Sequence, residues 1–233
     1  MPNQDVALGK SNEAPPTPLP TKLILVRHAE TEANLNQVWH GALDAPLTPR
    51  GLEQVIATAT RLAEIHAKEP IDLFYVSPLP RAQSTAAAIA QATGLPIILE
   101  EGLREFSLGD WEGRSLRELR ELEDLWGRWD ADPAFSPPNG ESPVSFNLRA
   151  TQILAELAAR HPGKTLLIVT HGAFLSSVLA TWLGADARNW RAYDPHNCAI
   201  SILVQEGLGW RGELVNDTSH LPLSALADYQ SEY

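Results

Sequence analysis

Residues 23–34 read LILVRHAETEAN. Four apolar residues run into an arginine and a histidine side by side, Arg27 and His28, and a polar stretch rich in acids follows. A buried strand that ends by setting a cation beside a titratable imidazole needs a reason, because both groups must leave water or share an anion. Side chains alternate between the faces of a strand, so Arg27 and His28 address one object only if the strand ends there and the chain turns. In sheets crossed over by helices, ligands gather beyond the carboxyl ends of the strands, which is where this pair then lies.

Outward from this stretch, short apolar runs alternate with longer stretches of helical spacing, the pattern of strands crossed over by helices. Strands are expected at 23–26, 73–76, 97–99 and 166–169, and helices at 49–66, 79–92, 142–161 and 173–183. Thr48 before Pro49 reads as the N-cap of the first helix. Residues 200–204 and 210–215, parted by glycines, predict a closing hairpin. The segment 109–146 breaks the rhythm by joining a charged helical stretch, SLRELRELEDLWGRWD, to the proline-rich PAFSPPNGESP, and it is expected to cross the strand ends as an excursion or lid. The fold class expected is α/β: a three-layer α/β/α sandwich around a mostly parallel sheet. One domain is expected over 21–233, after a disordered proline-rich tail at 1–20.

The chain of 233 residues carries 18 basic against 29 acidic residues, a net charge of −11, and its isoelectric point is near 5.0. That balance argues against nucleic acid or an anionic membrane as the main partner, and leaves small anions to a locally positive site. The single cysteine, Cys198, offers neither a disulfide framework nor a cysteine-rich metal site. No apolar run approaches membrane-spanning length, and the first twenty residues lack the basic start and apolar run of a signal peptide. A soluble, cytoplasmic protein is expected, with homo-oligomerisation left open.

The grammar of the opening stretch recurs. In LLIVTHGAFL an apolar run ends in Thr170 and His171, a glycine follows, and a helical pattern begins. In LFYVSPLPRAQSTAAAI a strand is followed by Ser77, Pro78 and a helix whose first turn holds Arg81. A cation is disfavoured at a helix N-terminus, where the helix dipole is positive, unless an anion sits beside it. Taken singly, Arg27 with His28 suits a strand end, His171 a satisfied buried histidine, and Arg81 a solvated first-turn arginine. Together, two arginines and two histidines at three strand ends match a phosphate dianion, with guanidinium forks supplying bidentate donors.

Other stretches carry less. HPGKTLLIV contains GKT, but it follows a helical pattern and opens a strand, the reverse of a P-loop, and reads as a helix stop. Asp130 and Asp132, near Glu123 and Asp124, are scattered by helical periodicity and read as a solvated face. Asn216 with Thr218 forms a glycosylation sequon of little weight in a chain expected to be cytoplasmic. Trp111, Trp126, Trp129, Phe106, Phe135 and Phe146 crowd the excursion with aromatic surface. Most are expected as local core, and the remainder as walls of a pocket for a substrate's organic part.

LVRHAETEANL with VSPLPRAQSTA, LREFSLGDWEG, GES and VTHG resembles the histidine phosphatase superfamily, which includes cofactor-dependent phosphoglycerate mutase and many small-molecule phosphatases. The resemblance runs in order from about residue 23 to about residue 204, with Ala29 where the family usually has glycine. It implies a phosphoglycerate mutase-like fold, His28 as the nucleophile that accepts a phosphoryl group, and Arg27, Arg81 and His171 as the groups that hold its oxygens, with Gly172 beside them. It further implies Asn34 as a phosphate contact and Glu105 as proton donor. Gly41 fits a place where backbone amides approach the substrate, and reads almost as well as a plain turn glycine. Glu101, Asp110 and Glu112 share the segment of Glu105, which only the resemblance singles out. No cofactor and no metal are implied.

The chemistry asks for the same residue types. Phosphoryl transfer depends on positioning and on neutralising charge spread over the equatorial oxygens. A histidine nucleophile needs an unprotonated nitrogen, which neighbouring guanidiniums favour, and a hydrogen bond that fixes the other one. The expected function is metal-independent phosphomonoester hydrolysis through a phosphohistidine, on a small phosphorylated metabolite such as a phosphosugar, a phosphoglycerate derivative or a nucleotide-like phosphate. Two alternatives stand beside it. A phosphoglycerate-type mutase must retain a doubly anionic intermediate, yet no lysine occurs between Lys68 and Lys164, and Arg114 is the main basic residue in the segment after the acid. A non-catalytic phosphate-binding regulatory module would release no phosphate.

Overall fold

Alternation within the apolar runs decides which helices cover which face of the sheet. In β1, Lys22–Arg27, the residues Leu23 and Leu25 enter one apolar cluster and Ile24 and Val26 another, as a period of two requires. The computed structural model describes residues 19–184 and 186–226. All but the last two residues of the expected tail, and the final stretch 227–233 of the expected domain, lie outside the described residues. After β1 come a short helix α1 (Glu32–Leu35), α2 (Pro49–Lys68), β2 (Leu73–Val76), α3 (Pro80–Thr93) and β3 (Ile97–Leu99). The excursion carries α4 (Leu116–Glu121) and α5 (Leu125–Ala131). Then follow α6 (Pro143–Arg160), β4 (Thr165–Thr170), α7 (Gly172–Leu183), β5 (Ile200–Glu206) and β6 (Gly209–Asp217).

The strands form one six-stranded sheet in the order β3-β2-β4-β1-β5-β6. The first four run parallel, and the β5–β6 hairpin adds antiparallel to β1, turning at Gly207 with φ +60°. Ala59 and Leu62 of α2, with Ala82, Ala86 and Ile89 of α3, cover the face of Ile24, Phe74 and Leu167. Leu154 and Leu157 of α6, with Phe174 and Val178 of α7, cover the face of Leu23, Tyr75 and Leu166. Leu23, Leu166 and Leu167 are fully buried, and each such side chain stabilises the fold by about 1.5–3 kcal/mol relative to exposure. The three-layer α/β/α architecture follows, with β4 and β1 as the two central strands. Thr48 caps α2 as its position before Pro49 indicates, accepting from the Gly51 N–H at 2.9 Å.

The charged stretch 115–130 is not one helix. It breaks between α4 and α5, where Asp124 takes a left-handed φ of +49°. The buried residues explain the break: Leu116 and Leu119 face the core from α4, and Leu125 and Trp129 from α5. At about 100° per residue, a continuous helix would put Leu125, nine positions after Leu116, on the opposite side. The start of the excursion is laced to the loop after α1. Trp39 N–H donates to Arg114 O at 3.0 Å, Gly113 N–H to Trp39 O at 2.8 Å and Leu116 N–H to Gln37 O at 2.8 Å. Among the described residues no helix is long and apolar enough to cross a membrane.

Candidate active site

Parallel pairing of β1 with β4 sets Arg27 opposite Thr170, so the next residues, His28 and His171, leave adjacent strand ends together. Their rings lie 5.2 Å apart at 60°. On the other side of β4, Val76 of β2 pairs with Val169, and the following residue, Ser77, brings its hydroxyl to 2.6 Å from Nε2 of His171. Four residues on, the first turn of α3 delivers Arg81 to the same place.

Nδ1 of His28 is 2.7 Å from the Ala29 carbonyl oxygen. A carbonyl only accepts, so this nitrogen carries the proton and Nε2 keeps its lone pair. Arg81 donates to that lone pair from Nε at 3.2 Å. The pKa of His28 is held well below its ordinary value of 6.5, first by burial and then by Arg81 and Arg27. The remaining arms of Arg81 donate to the carbonyls of Gly41 at 2.9 Å and Leu43 at 3.1 Å. Arg27 donates to Pro195 O at 2.7 Å, lies 3.9 Å from Asp194, and presses on Gly172, where an added Cβ would stand 3.1 Å from its guanidinium carbon. The two arginines are 1% and 2% exposed; burying such charges is costly unless they are paired, and a dianionic phosphate fits them.

Glu105 approaches from the loop after β3. Its carboxyl accepts from the N–H groups of Phe106 at 2.9 Å, Ala173 at 3.1 Å and Phe174 at 3.1 Å, two of which belong to the start of α7. Burial raises its pKa from the ordinary 4.5, against the pull of these donors and of Arg81 and Arg27. The loop is held from α6: Arg149 donates to the carbonyls of Gly102, Arg104 and Glu105 and pairs with Glu141 at 2.7 Å.

Arg27, His28, Asn34, Gly41, Arg81 and Glu105 line one cleft. Asn34 is locked in a capping box with Thr31 at the start of α1, its Oδ1 accepting from Thr31 N–H at 3.1 Å. Gly41 has φ +51°, and a Cβ there would meet the Glu112 carboxyl at 2.1 Å. His171 is 0% exposed beside His28, with Nδ1 lacking a hydrogen-bond partner among the described residues. Its pKa is also held well below 6.5, by burial first and then by Arg81. Of the rival acids, Glu101 pairs with Arg104 at 2.7 Å and Asp110 accepts from Asn139 at 3.1 Å, both exposed. Among the described residues no three His, Cys, Asp or Glu side chains are grouped to hold a metal.

Two cleft neighbours went unread in the sequence. His40 lines the cleft, with Nε2 2.8 Å from the Thr31 hydroxyl and its pKa lowered to about 3 by burial and then Arg81 and Arg27; its place beside Gly41 was the available signal. Asn197 donates to His28 O at 3.1 Å, for which the sequence offers none.

A model of the histidine phosphatase superfamily, branch 1, matches residues 23–218. The chain belongs to the histidine phosphatase superfamily. Phosphoryl transfer through a phosphohistidine is general in this superfamily. Among its members, a probable phosphoglycerate mutase GpmB of Escherichia fergusonii is 35% identical over 216 residues, covering 90% of this chain and 99% of that protein. A phosphoserine phosphatase of Entamoeba histolytica, a variant solved in complex with phosphoserine, superposes with a TM-score of 0.77 at 30% identity, over 87% of this chain and 100% of that one. The mycobacterial glucosyl-3-phosphoglycerate phosphatase gives a TM-score of 0.73 at 28% identity, over 84% and 99%.

Proposed function

We propose that the chain is a phosphomonoesterase that hydrolyses a small phosphorylated metabolite through a phosphohistidine at His28, with Glu105 as proton donor and no metal ion. The observation that carries this reading is the state of His28: Nδ1 is tied to Ala29 O at 2.7 Å, and Nε2 is left unprotonated beside the Arg81 guanidinium. In the first step the Nε2 lone pair forms the N–P bond as the P–O bond to the leaving group breaks, and the proton on Glu105 passes to the departing oxygen. In the second, water attacks phosphorus, Glu105 takes its proton, and the N–P bond breaks to give inorganic phosphate. Arg27 and Arg81 hold the equatorial oxygens. Asn34 and the backbone around Gly41 and Gly172 border them, and Nδ1 of His171 is the further group offered to an oxygen.

A mutase reading has its own support, the 35% identity to a probable phosphoglycerate mutase. One experiment separates the readings. The protein is incubated with nitrophenyl phosphate in EDTA and, separately, with 3-phosphoglycerate and its bisphosphate. The phosphatase reading expects steady phosphate release and an acid-labile, base-stable phosphoenzyme that is absent from His28→Ala. Positional exchange in phosphoglycerate without net release supports the mutase. Absence of both reactions and of any phosphoenzyme overturns an enzymatic reading.

A further inference from the structure

The Glu112 carboxylate spans the two segments that carry the proposed chemistry. Its Oε2 accepts from the Ala42 N–H at 3.0 Å and its Oε1 from the Ser107 hydroxyl at 2.8 Å. Ala42 lies between Gly41 and Leu43, whose carbonyls hold two nitrogens of Arg81. Ser107 lies two residues after Glu105. The carboxylate also packs on the Gly41 backbone, where an added Cβ would stand 2.1 Å from its carbon. Glu101, Glu123 and Glu141 each pair with an arginine, whereas among the described residues the donors on Glu112 are both neutral. Its contacts are those of a bridge between two loops.

The two ends of the bridge are anchored unequally. Ser107 is fixed from the far side of the excursion: its N–H donates to Glu141 Oε2 at 3.1 Å and its carbonyl accepts from the Glu141 N–H at 2.9 Å. Glu141 in turn pairs with Arg149, which holds the carbonyls of Gly102, Arg104 and Glu105. On the other side, the backbone bonds that lace 37–39 to 113–116 end with Gly113 N–H on Trp39 O. Beyond Trp39 the Glu112 side chain takes over, at Ala42. The long side chain of Arg81 has many rotamers, and the carbonyls of Gly41 and Leu43 select one of them. Where those carbonyls stand relative to Glu105 therefore depends on Glu112, and a misplacement of about 1 Å in such a site can cost about 100-fold in rate.

We propose that Glu112 is a positioning residue: it fixes the seat of Arg81 relative to the loop of Glu105, so that the group proposed to hold the phosphate and the group proposed to protonate the leaving oxygen keep one spacing. The proposal rests on the phosphomonoesterase reading above. Calorimetric titration with vanadate reads the Arg81 end without turnover, and the ratio of kcat/KM for propyl phosphate to that for nitrophenyl phosphate reads the Glu105 end. Glu112→Ala is expected to weaken vanadate binding about 10-fold, the worth of a hydrogen bond to a charged group, and to lower the ratio several-fold. Glu112→Gln keeps an acceptor for the Ala42 N–H, and its amide can donate to the Ser107 hydroxyl, which accepts as well as it donates, so both readings should stay within about 3-fold of native. In an Arg81→Lys background, where the fork seated on the two carbonyls is gone, Glu112→Ala should weaken vanadate by less than about 2-fold, whereas independent losses would multiply. Ser107→Ala, which releases one end of the bridge, should move both readings in the same direction by less, and replaces Glu112→Ala if that variant does not fold. Readings unmoved in the folded variants, losses that multiply with Arg81→Lys, or a glutamine variant as impaired as the alanine one overturn the bridge while leaving the phosphomonoesterase reading intact. Absence of phosphate release from both esters in the native protein, with no phosphoenzyme, overturns that reading and this proposal with it.

Discussion

Arg81 donates from Nε to Nε2 of His28 across 3.2 Å, so the guanidinium proposed to hold the phosphate also helps keep the proposed nucleophile neutral. Its other two nitrogens are held by the carbonyls of Gly41 and Leu43. Geometry and charge can be separated at this residue. Arg81→Lys keeps a positive charge and loses the fork, so it is expected to weaken vanadate inhibition by roughly 10–100-fold, the worth of one charge-assisted hydrogen bond. Arg81→Ala loses both and should weaken it further. Equal inhibition constants in the native protein and the lysine variant would remove the fork from the binding account.

The buried imidazoles predict how stability varies with pH. His28, His40 and His171 are all held below the ordinary 6.5, His40 to about 3, by burial first and Arg81 next. His196 and His220 shift the same way, again chiefly through burial. Below about pH 6.5 the unfolded chain binds protons on these residues that the folded chain refuses, so stability is full above that pH and falls as pH drops. Each histidine contributes a slope of up to about 1.4 kcal/mol per pH unit. Glu105 works in the opposite direction: its raised pKa lets the fold bind a proton before the unfolded chain does, which offsets part of the loss as pH falls toward 4.5. Urea midpoints at pH 7.5, 6 and 5 should decline in that order. A midpoint that stays level to pH 5 would mean these rings titrate freely in the fold.

Gly109 and Gly41 have similar φ values, +55° and +51°, and different surroundings. A Cβ on Gly41 meets the flexible end of Glu112, so Gly41→Ala should cost about 1–2 kcal/mol, mostly for the left-handed backbone. A Cβ on Gly109 meets backbone: Pro138 O at 2.2 Å and Asn139 C at 2.4 Å. There the crossing of 107–110 with 138–141, held by Asp110 N–H to Pro138 O at 3.0 Å and Glu141 N–H to Ser107 O at 2.9 Å, must open. Gly109→Ala should therefore lose clearly more stability than Gly41→Ala in thermal unfolding. It should also lower turnover, because Glu141 pairs with the arginine that holds the Glu105 loop. Matching losses in the two variants would count against backbone contact as the difference.

The parts of the fold that the sequence disclosed are those governed by side-chain periodicity. The apolar runs at 23–26 and 166–169 mark β1 and β4 because their alternation feeds two cores. The strand-end positions of His28 and His171 followed once those runs were read, although their adjacency needed the parallel pairing of Arg27 with Thr170. What stayed hidden has backbone for a partner. The carbonyls of Ala29, Gly41, Leu43 and Pro195 fix His28, Arg81 and Arg27, and a carbonyl carries no residue signature. The break at Asp124 was hidden for another reason: a run of charged residues and leucines satisfies helical spacing in either phase, and only the cores that Leu116 and Leu125 enter tell the two apart.

Glu105 is the group whose proposed role is tested most sharply by changing the substrate. Its carboxyl lies at the start of α7 with a pKa raised by burial, which suits an acid that must still hold a proton when the alkoxide departs. Glu105→Gln keeps the shape and removes that proton, so hydrolysis of alkyl phosphates should slow by roughly 100-fold to 10,000-fold, the usual worth of a positioned general acid. Nitrophenolate leaves with little help. Where phosphoenzyme formation limits both reactions, the same variant should therefore lose far less on nitrophenyl phosphate. It should also lose the alkaline limb of the alkyl phosphate rate profile, where the native acid gives up its proton. The amide can accept at only one atom, and the three N–H groups now served by the carboxyl make some loss of stability expected, so the comparison is made at a temperature where both proteins are folded. Equal losses on the two substrates would assign Glu105 to binding or to holding α7 in place, and would direct the search for the acid to Glu112, whose carboxyl already lies over Gly41.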